Sequence, residues 1–208
     1  MHPFFAILLF AFSSPSESRF KVVSMSVDEM DAMRPSTWRP GCPVPLGLLR
    51  KVIVPYYHPS GESRQGTLIV HQAVATEVGE IFVELHRQQF PIEDISPALT
   101  KLGKDDALMR SNITSAFNCR AITGGKGFSR HSYGRAIDIN PLWNPYIKGK
   151  KVLPNEAPKF ARPPRDVSRA GLIHTDSSVV KLFQRYGWKW GGHWKRVKDY
   201  QHFEKKRQ

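Results

Sequence analysis

A chain of 208 residues is long enough to bury a hydrophobic core, and its 40% hydrophobic and 24% charged residues exclude a typical disordered protein. Lysine and arginine outnumber aspartate and glutamate by 31 to 18, which gives a formal net charge of +13. Such a surface attracts polyanions, whether nucleic acid, anionic lipid or the acidic polymers of a bacterial cell wall, and charge alone does not choose among them.

The chain begins with an apolar block at residues 3–12, which is followed by small polar residues. The block is too short to span a bilayer as a helix, but it has the length of the apolar region of a secretory signal. We therefore predict a signal peptide or hydrophobic leader at residues 1–18 and an exported protein of the periplasm or cell envelope. The alternatives are an apolar start that packs on the domain or a misplaced start codon, and the protein is cytoplasmic if the leader is not a signal.

Residues 19–44 are predicted to form an N-terminal helix and a linker. Ser26 is a candidate N-cap and Glu29 follows three residues later, which is the spacing of a capping box. The two cysteines, Cys42 and Cys119, are too few for a disulfide scaffold and lack the CxxC spacing of a zinc site. In an exported protein they could pair, although the sequence does not show that their Cα atoms approach each other.

The rest of the chain alternates unequally between strand and helix patterns. The β-branched and aromatic runs at residues 51–57 and 66–74 favour strands, and residues 75–90 carry an apolar stripe at helical spacing. TDSSVVKLFQRYG predicts a second helix, SAFNCRAIT and GRAIDIN predict further strands, and the Pro- and charge-rich residues 141–166 predict a long irregular loop. We therefore predict an α+β fold with a small central antiparallel sheet flanked by helices.

The stretch SRHSYGRAIDINP combines a histidine, an aspartate and a glycine in a pattern that a solvated surface does not require. Because side chains alternate along a strand, the isoleucines of AIDIN point to one face and Asp138 points to the other. His131 lies seven positions earlier, and a bend at Gly134 would return it to the face of Asp138. An imidazole and a carboxylate on one rigid platform are good ligands for zinc.

A catalytic zinc site needs a third protein ligand and an open position. His202 in KDYQHFE is the best candidate, and Asp199, three residues earlier, could serve as general base toward a water molecule that zinc acidifies. Structural alternatives exist for each residue. His131 and Asp138 could belong to a capped turn and a surface strand, and His202 could be a partly buried histidine bonded to a carbonyl.

The paired motifs carry a family resemblance. SRHSYGRAID fits SxHxxGxAxD, and DYQHFE after GWKWGG resembles the closing motif of zinc D-alanyl-D-alanine carboxypeptidases, a family that includes VanY-like enzymes and phage L-alanyl-D-glutamate endopeptidases. The similarity extends over about residues 45–205 and includes TSAFNCR and INPLWNPY. It implies a zinc peptidase domain with the fold that this family shares with the hedgehog signalling domain.

The resemblance also implies roles for individual residues. The implied zinc ligands are His131, Asp138 and His202, and Asp199 is the implied base. Arg120 and Ser129 are expected to bind the carboxylate end of the substrate, and Arg120 could also polarise the scissile carbonyl, since a guanidinium holds a carboxylate in a fork. Arg120 could instead be a structural ion-pair partner, and Ser129 a turn residue.

One position departs from the family pattern, because many relatives have WGGDW where this chain has His193. The change removes a negative charge near the expected cleft, and His193 could compete as a ligand, although the HFE motif favours His202. The change bears on substrate preference more than on metal binding.

The expected function is hydrolysis of peptidoglycan stem peptides, first as a D-alanyl-D-alanine carboxypeptidase. An L-alanyl-D-glutamate endopeptidase and a non-catalytic cell-wall-binding module are the alternatives. A basic nucleic-acid binder ranks third, and no nucleic-acid partner is expected because no recognisable nucleic-acid motif is present. We expect no stable membrane span, and a monomer is favoured.

Overall fold

The computed structural model describes residues 19–122, 126–161, 165–166 and 168–206, so the predicted leader at residues 1–18 lies outside the described residues. The strands are β1 (Lys21–Ser24), β2 (Leu49–Tyr57), β3 (Ser63–His71), β4 (Asp94–Ile95), β5 (Ile113–Thr114), β6 (Ala136–Asp138), β7 (Tyr146–Lys148), β8 (Lys151–Leu153), β9 (Lys189–Trp190), β10 (Lys198–Asp199) and β11 (His202–Glu204). The helices are α1 (Val27–Met33), α2 (Ala75–Arg87), α3 (Asp105–Arg110), α4 (Pro158–Ala161) and α5 (Ser178–Arg185). No helix among the described residues combines the length and the apolar character that crossing a bilayer requires.

The largest sheet contains β1, β2 and β3 in that order, and its strand pairs are antiparallel. The β2–β3 hairpin stays in register from Leu49, opposite His71, to Tyr57, opposite Ser63. α2 packs on β2 and buries its apolar stripe, which consists of Val78, Ile81, Phe82 and Leu85. The two strands and the helix predicted here are confirmed, except that residues 72–74 form a 3-10 turn instead of extending the strand.

A second antiparallel sheet orders its strands β6, β11 and β9. Phe203 in its central strand lies between Ile137 and Trp190, and all three side chains are buried. α5 packs against this sheet, with the ring of Phe183 stacked on Phe203 at a centroid distance of 4.1 Å. α5 confirms the second predicted helix, and the chain leaves it through Gly187 at φ +78°.

The irregular loop predicted at residues 141–166 is wrong for part of that segment. β7 and β8 form a hairpin around Gly149, and β10 adds to the free edge of β7 to complete a third antiparallel sheet. α4 follows the hairpin. β7 and β8 have only three residues each and lie among prolines and charged residues, so composition predicted a loop, and the third strand comes from the C-terminal part of the chain.

The regular strand predicted in SAFNCRAIT is also wrong. β5 pairs in parallel with β4 and ends at Thr114, and the segment after it makes only isolated bridges. Its amides bond to several different segments: Phe117 donates to the carbonyl of Ile69 in β3, and Cys119 donates to the carbonyl of Thr37, both at 2.9 Å. The segment is therefore a buried connector between sheets and not the edge of one sheet.

The N-terminal segment is tied to the rest of the fold in two ways. β1, which the sequence pattern did not predict, pairs with β2, and α1 begins with the expected capping box, in which the amide of Glu29 donates to Ser26 Oγ at 3.2 Å. Cys42 and Cys119 form a disulfide with Cα atoms 6.1 Å apart. The pairing that the sequence left open therefore joins the linker to the buried connector.

These elements confirm an α+β fold with small antiparallel sheets and few helices. The antiparallel strands are divided among three three-stranded sheets instead of one central sheet. A hydrophobic core cluster joins the first two sheets with α2 and α5, and the candidate site lies at the edge of this core.

Candidate metal centre

The central pair of the site is fixed by the register of β6 and β11, in which Asp138 lies directly opposite His202. The neighbouring pair, Ile137 and Phe203, is fully buried and faces the core. Because side chains alternate along a strand, Asp138 and His202 share the opposite face of the sheet. The expected orientation of Asp138, away from the isoleucines, is confirmed.

His131 reaches this face through a short 3-10 helix, Arg130–Tyr133, that ends at Gly134. Gly134 has φ +62°, and a Cβ atom there would lie 2.5 Å from the backbone nitrogen of His71. The same backbone nitrogen donates a hydrogen bond to the Gly134 carbonyl oxygen at 2.9 Å, so the two segments are in close contact. Only glycine fits this turn without strain, so the bend expected at this position is present.

The three side chains converge on one point. His131 Nε2 lies 3.1 Å from Asp138 Oδ2, and His202 Nδ1 lies 3.0 Å from Asp138 Oδ1. The two imidazole nitrogens are 3.2 Å apart, and one ligand atom from each residue lies within 4.8 Å of the others. All three residues are buried, with relative exposures of 3%, 8% and 6% in chain order. A cluster of two imidazoles and one carboxylate at this spacing could hold a metal ion.

The remaining imidazole nitrogens have partners that fix the ring orientations. His131 Nδ1 donates to the carbonyl of Ala116 at 2.6 Å, which leaves Nε2 directed at the centre. His202 Nε2 donates to Glu204 Oε2 at 3.4 Å, which leaves Nδ1 directed at the centre. Metal-binding histidines typically use such outer partners. Glu204 was not predicted, although its position two residues after His202 on a strand places it on the same face.

The electrostatics of the group favour a bound cation. Burial alone would lower the pKa of His202, but hydrogen bonds to Asp138 and Glu204 and the charges of nearby carboxylates raise it to about 10. Burial alone would raise the pKa of Asp138, but the charge of His131 and hydrogen bonds to both histidines hold it well below its ordinary range. The centre is therefore built to keep positive charge beside an ionised Asp138, and a metal ion would take the place of a proton there.

Asp199 occupies β10, and its side chain lines the same cleft as the three candidate ligands. Its Oδ1 atom is buried and has no hydrogen-bond partner among the described residues. Burial raises the pKa of Asp199 to about 6; the charge of His202 opposes this shift and the charge of Asp138 adds to it. Gly191 leaves room for this strand, because a Cβ atom there would lie 2.6 Å from the Asp199 carbonyl oxygen.

The cleft has a volume of about 620 Å³, and Arg120 and Ser129 also line it. Arg120 Nε forms an ion pair with Asp105 Oδ1 at 3.0 Å, a contact that the sequence did not predict. Ser129 is buried and caps the 3-10 helix of His131, whose amide donates to Ser129 Oγ at 3.4 Å. Both residues therefore have structural roles, which are the alternatives that the sequence left open, and both also border the cleft.

Two further features lie apart from this centre. His193 is exposed, packs edge-on against Trp190 with ring centroids 5.0 Å apart, and belongs neither to the cleft lining nor to the metal-binding cluster. A larger cavity of about 1390 Å³ lies beside α2 and α5, and none of the candidate site residues lines it. The smaller cleft is the candidate site because it contains the titratable and metal-binding groups.

Comparison with known proteins gives one match. Residues 123–205 match the family model described as D-alanyl-D-alanine carboxypeptidase. No curated protein and no solved structure matches the chain. The matched segment includes all three candidate ligands and Asp199 but not Arg120. This part of the chain resembles the zinc D-alanyl-D-alanine carboxypeptidases, and the match supports a peptidase of that type.

Proposed function

We propose that this protein is a zinc-dependent peptidase that hydrolyses peptidoglycan stem peptides, in the first place as a D-alanyl-D-alanine carboxypeptidase. The observation that carries the proposal is the convergence of His131, Asp138 and His202 within 4.8 Å. In the same cleft lies the Oδ1 atom of Asp199, which has no hydrogen-bond partner among the described residues. The proposed substrate lies outside the cytoplasm, so the proposal includes export directed by residues 1–18. We further propose that the protein acts as a monomer.

The residues present fit a catalytic zinc ion. Two imidazoles with fixed orientations and one carboxylate form a three-ligand set, which is typical of catalytic sites with an open coordination position. Bound zinc supplies Lewis acidity, which acidifies water and polarises a peptide carbonyl. The same cleft holds the carboxylate of Asp199 and the guanidinium of Arg120, two kinds of group that assist peptide hydrolysis beside a metal.

Asp199 is the proposed general base. With a pKa near 6 it is largely ionised at neutral pH, and its Oδ1 atom has no competing hydrogen bond among the described residues. It accepts a proton from the attacking water and then donates that proton to the leaving amine, which departs as a neutral group. A pKa near the working pH suits both transfers, because the group must hold and release a proton in one catalytic cycle.

Arg120 and Ser129 are the proposed contacts for the substrate's carboxylate. In a carboxypeptidase this contact selects a chain end, and a guanidinium at a half-buried position is well suited to it. In the structure, however, Arg120 already pairs with Asp105. A substrate carboxylate would have to displace Asp105 from this guanidinium. The second candidate is an L-alanyl-D-glutamate endopeptidase, which would use the same candidate ligands and base and differ in how the cleft holds the stem. A non-catalytic wall-binding module is less well supported, since it has no use for Asp199.

Two variants test the metal and the base separately. We expect Asp199→Ala to keep bound zinc but to lose turnover by about a hundred- to ten-thousand-fold, the usual contribution of a positioned base. His202→Ala should lose the metal itself, and His193→Ala, in an exposed histidine outside the cleft, is the matched control. Zinc content by elemental analysis and stem-peptide hydrolysis give the two measurements. Normal hydrolysis by Asp199→Ala would refute the assignment of the base.

Mass spectrometry of purified muropeptides identifies the bond that is cut. A carboxypeptidase removes terminal D-Ala from pentapeptide stems, whereas the endopeptidase cuts after L-Ala, and a chelator should stop either reaction. Hydrolysis that persists in the chelator would argue against the zinc site.

A further inference from the structure

The sheet of β10, β7 and β8 carries a dense group of exposed cations. It comprises Lys148, Lys150, Lys151, Lys195 and Arg196, which we call the basic rim. All five side chains are exposed, and none forms an ion pair with another residue in the described part of the chain.

Strand pairing holds these charges close together. Lys148 lies directly opposite Lys151 in the β7–β8 hairpin, and the pairing of Lys198 with Ile147 places the segment that follows Trp194 alongside the same hairpin. Like charges opposite each other destabilise a hairpin. The arrangement therefore favours an external anion as the compensating charge.

The acidic groups of these segments do not neutralise the basic rim. Glu156 lies 3.9 Å from Arg110, on a different element, and Asp199 lines the cleft. The basic rim also reaches that cleft, because Lys148 belongs to its lining. A ligand held on the basic rim would thus lie next to the candidate metal centre.

We propose that the basic rim binds the polyanionic cell wall and holds the cleft against its insoluble substrate. The choice of this partner rests on the proposed function. The cations extend along a hairpin instead of converging on one point, which suits an extended polymer with repeated carboxylate groups, as in peptidoglycan stems. Tyr146 and Trp194 adjoin the basic rim and line the cleft, so nucleic acid is tested as the alternative partner.

The test is co-sedimentation with purified insoluble peptidoglycan over a series of salt concentrations. The rim variant, Lys150→Gln with Lys151→Gln and Lys195→Gln, removes three charges from residues that do not line the cleft. The control variant, Lys21→Gln with Lys181→Gln and Lys189→Gln, makes the same charge change at exposed residues of β1, α5 and β9. We expect the rim variant to lose affinity for the wall by about tenfold or more and to show a weaker salt dependence, while the control variant binds like the natural chain.

Further arms separate the sources of negative charge. Peptidoglycan stripped of its attached phosphodiester polymers should still bind in a rim-dependent way, because the proposed ligand is the carboxylates of the stems, and loss of this binding on stripping would overturn the choice of partner. Equal losses in the rim and control variants would overturn it, since only net charge would then matter. Rim-dependent binding to duplex DNA that is tighter than binding to the wall would overturn the choice of partner.

A parallel assay separates this inference from the proposed function. If the natural chain, the rim variant and the control variant all fail to hydrolyse a soluble stem peptide, the proposed function is wrong. Rim-dependent sedimentation with the wall would still support the binding surface in that case, and its absence would overturn the surface even in an active peptidase.

Discussion

The two histidines of the candidate metal centre present different ring nitrogens to it. His131 uses Nε2 because the Ala116 carbonyl accepts from Nδ1, and His202 uses Nδ1 because Glu204 accepts from Nε2. An imidazole in the wrong tautomer would direct a hydrogen atom at the metal instead of a lone pair. The outer partners therefore select the ligand atoms: a backbone carbonyl does so for His131 and a carboxylate for His202.

Removing Glu204 should accordingly weaken metal binding without removing a ligand. We expect Glu204→Ala to lower zinc affinity by about ten- to a hundredfold, the usual cost of losing such an outer partner. Glu204→Gln should lose less, because its amide oxygen still accepts a hydrogen bond. Competition with a chromophoric chelator measures the affinity, and Glu62→Ala, in an exposed acid of the β2–β3 turn, is the control. Unchanged affinity in Glu204→Ala would show that His202 needs no outer partner.

The pH dependence of hydrolysis should report Asp199. Its pKa is raised to about 6, mainly by burial, and only its ionised form accepts a proton. Activity is therefore full above this pKa and falls as the pH drops through it. The positive charge of bound zinc would act against this rise in the pKa of Asp199, so the acid limb of kcat/KM should lie at or below about pH 6. An acid limb above pH 7 would indicate a different base.

At the scale of elements, local pattern and distant pairing contribute differently to what the sequence reveals. The alternation in AIDIN predicts which face Asp138 occupies, because burial of its neighbouring isoleucines fixes the strand's orientation. The partner of that strand is not evident, since His202 is 64 residues away and its register depends on tertiary packing. The paired motifs supplied the ligands by resemblance. The β7–β8 hairpin pairs residues that are close in sequence, but its short strands lie in a Pro- and charge-rich segment whose composition favoured a loop.

The residues of the site that belong to a sequence motif could be predicted. The contacts that depend on which elements pack together in space could not. The three candidate ligands and Asp199 were all expected, and the structure brings them to one cleft. Asp105 was not expected, because it comes from α3, which no motif links to Arg120. The sequence also did not predict that His193 is exposed, because its spacing from the nearby tryptophans does not indicate whether it is buried.

The turn at Gly134 offers a test of how the 3-10 helix positions His131. We expect Gly134→Ala to lower the free energy of unfolding by more than about 1 kcal/mol, because alanine is strained at φ +62° and its Cβ would meet the His71 backbone. Zinc affinity should fall as well, since His131 would move with the turn. Gly149→Ala is the matched control, because its φ is +57° and a Cβ there meets nothing within 4 Å. Equal effects of both variants, on stability and on zinc affinity, would contradict this account.

At the scale of the whole molecule, the N-terminal segment supports one wall of the cleft. A second hydrophobic cluster joins α1 to β2, β3 and the buried connector, and it includes Met33, Phe117 and Cys119. Arg120 lines the cleft and directly follows Cys119, so the disulfide between Cys119 and Cys42 anchors this wall of the cleft. Residues 19–44 thus contribute to the architecture of the site, although the family match begins only at residue 123.

Removing this disulfide should therefore affect stability more than metal binding. The bond closes a loop of 77 residues, and the loss of such a constraint on the unfolded chain costs about 4 kcal/mol. We expect Cys42→Ala with Cys119→Ala to unfold at lower urea concentration than the oxidised natural chain, and to raise KM through Arg120 while zinc content stays the same. A reductant should lower the unfolding midpoint of the natural chain but not that of the variant. Equal midpoints for the oxidised chain and the variant would show that packing alone holds the connector in place.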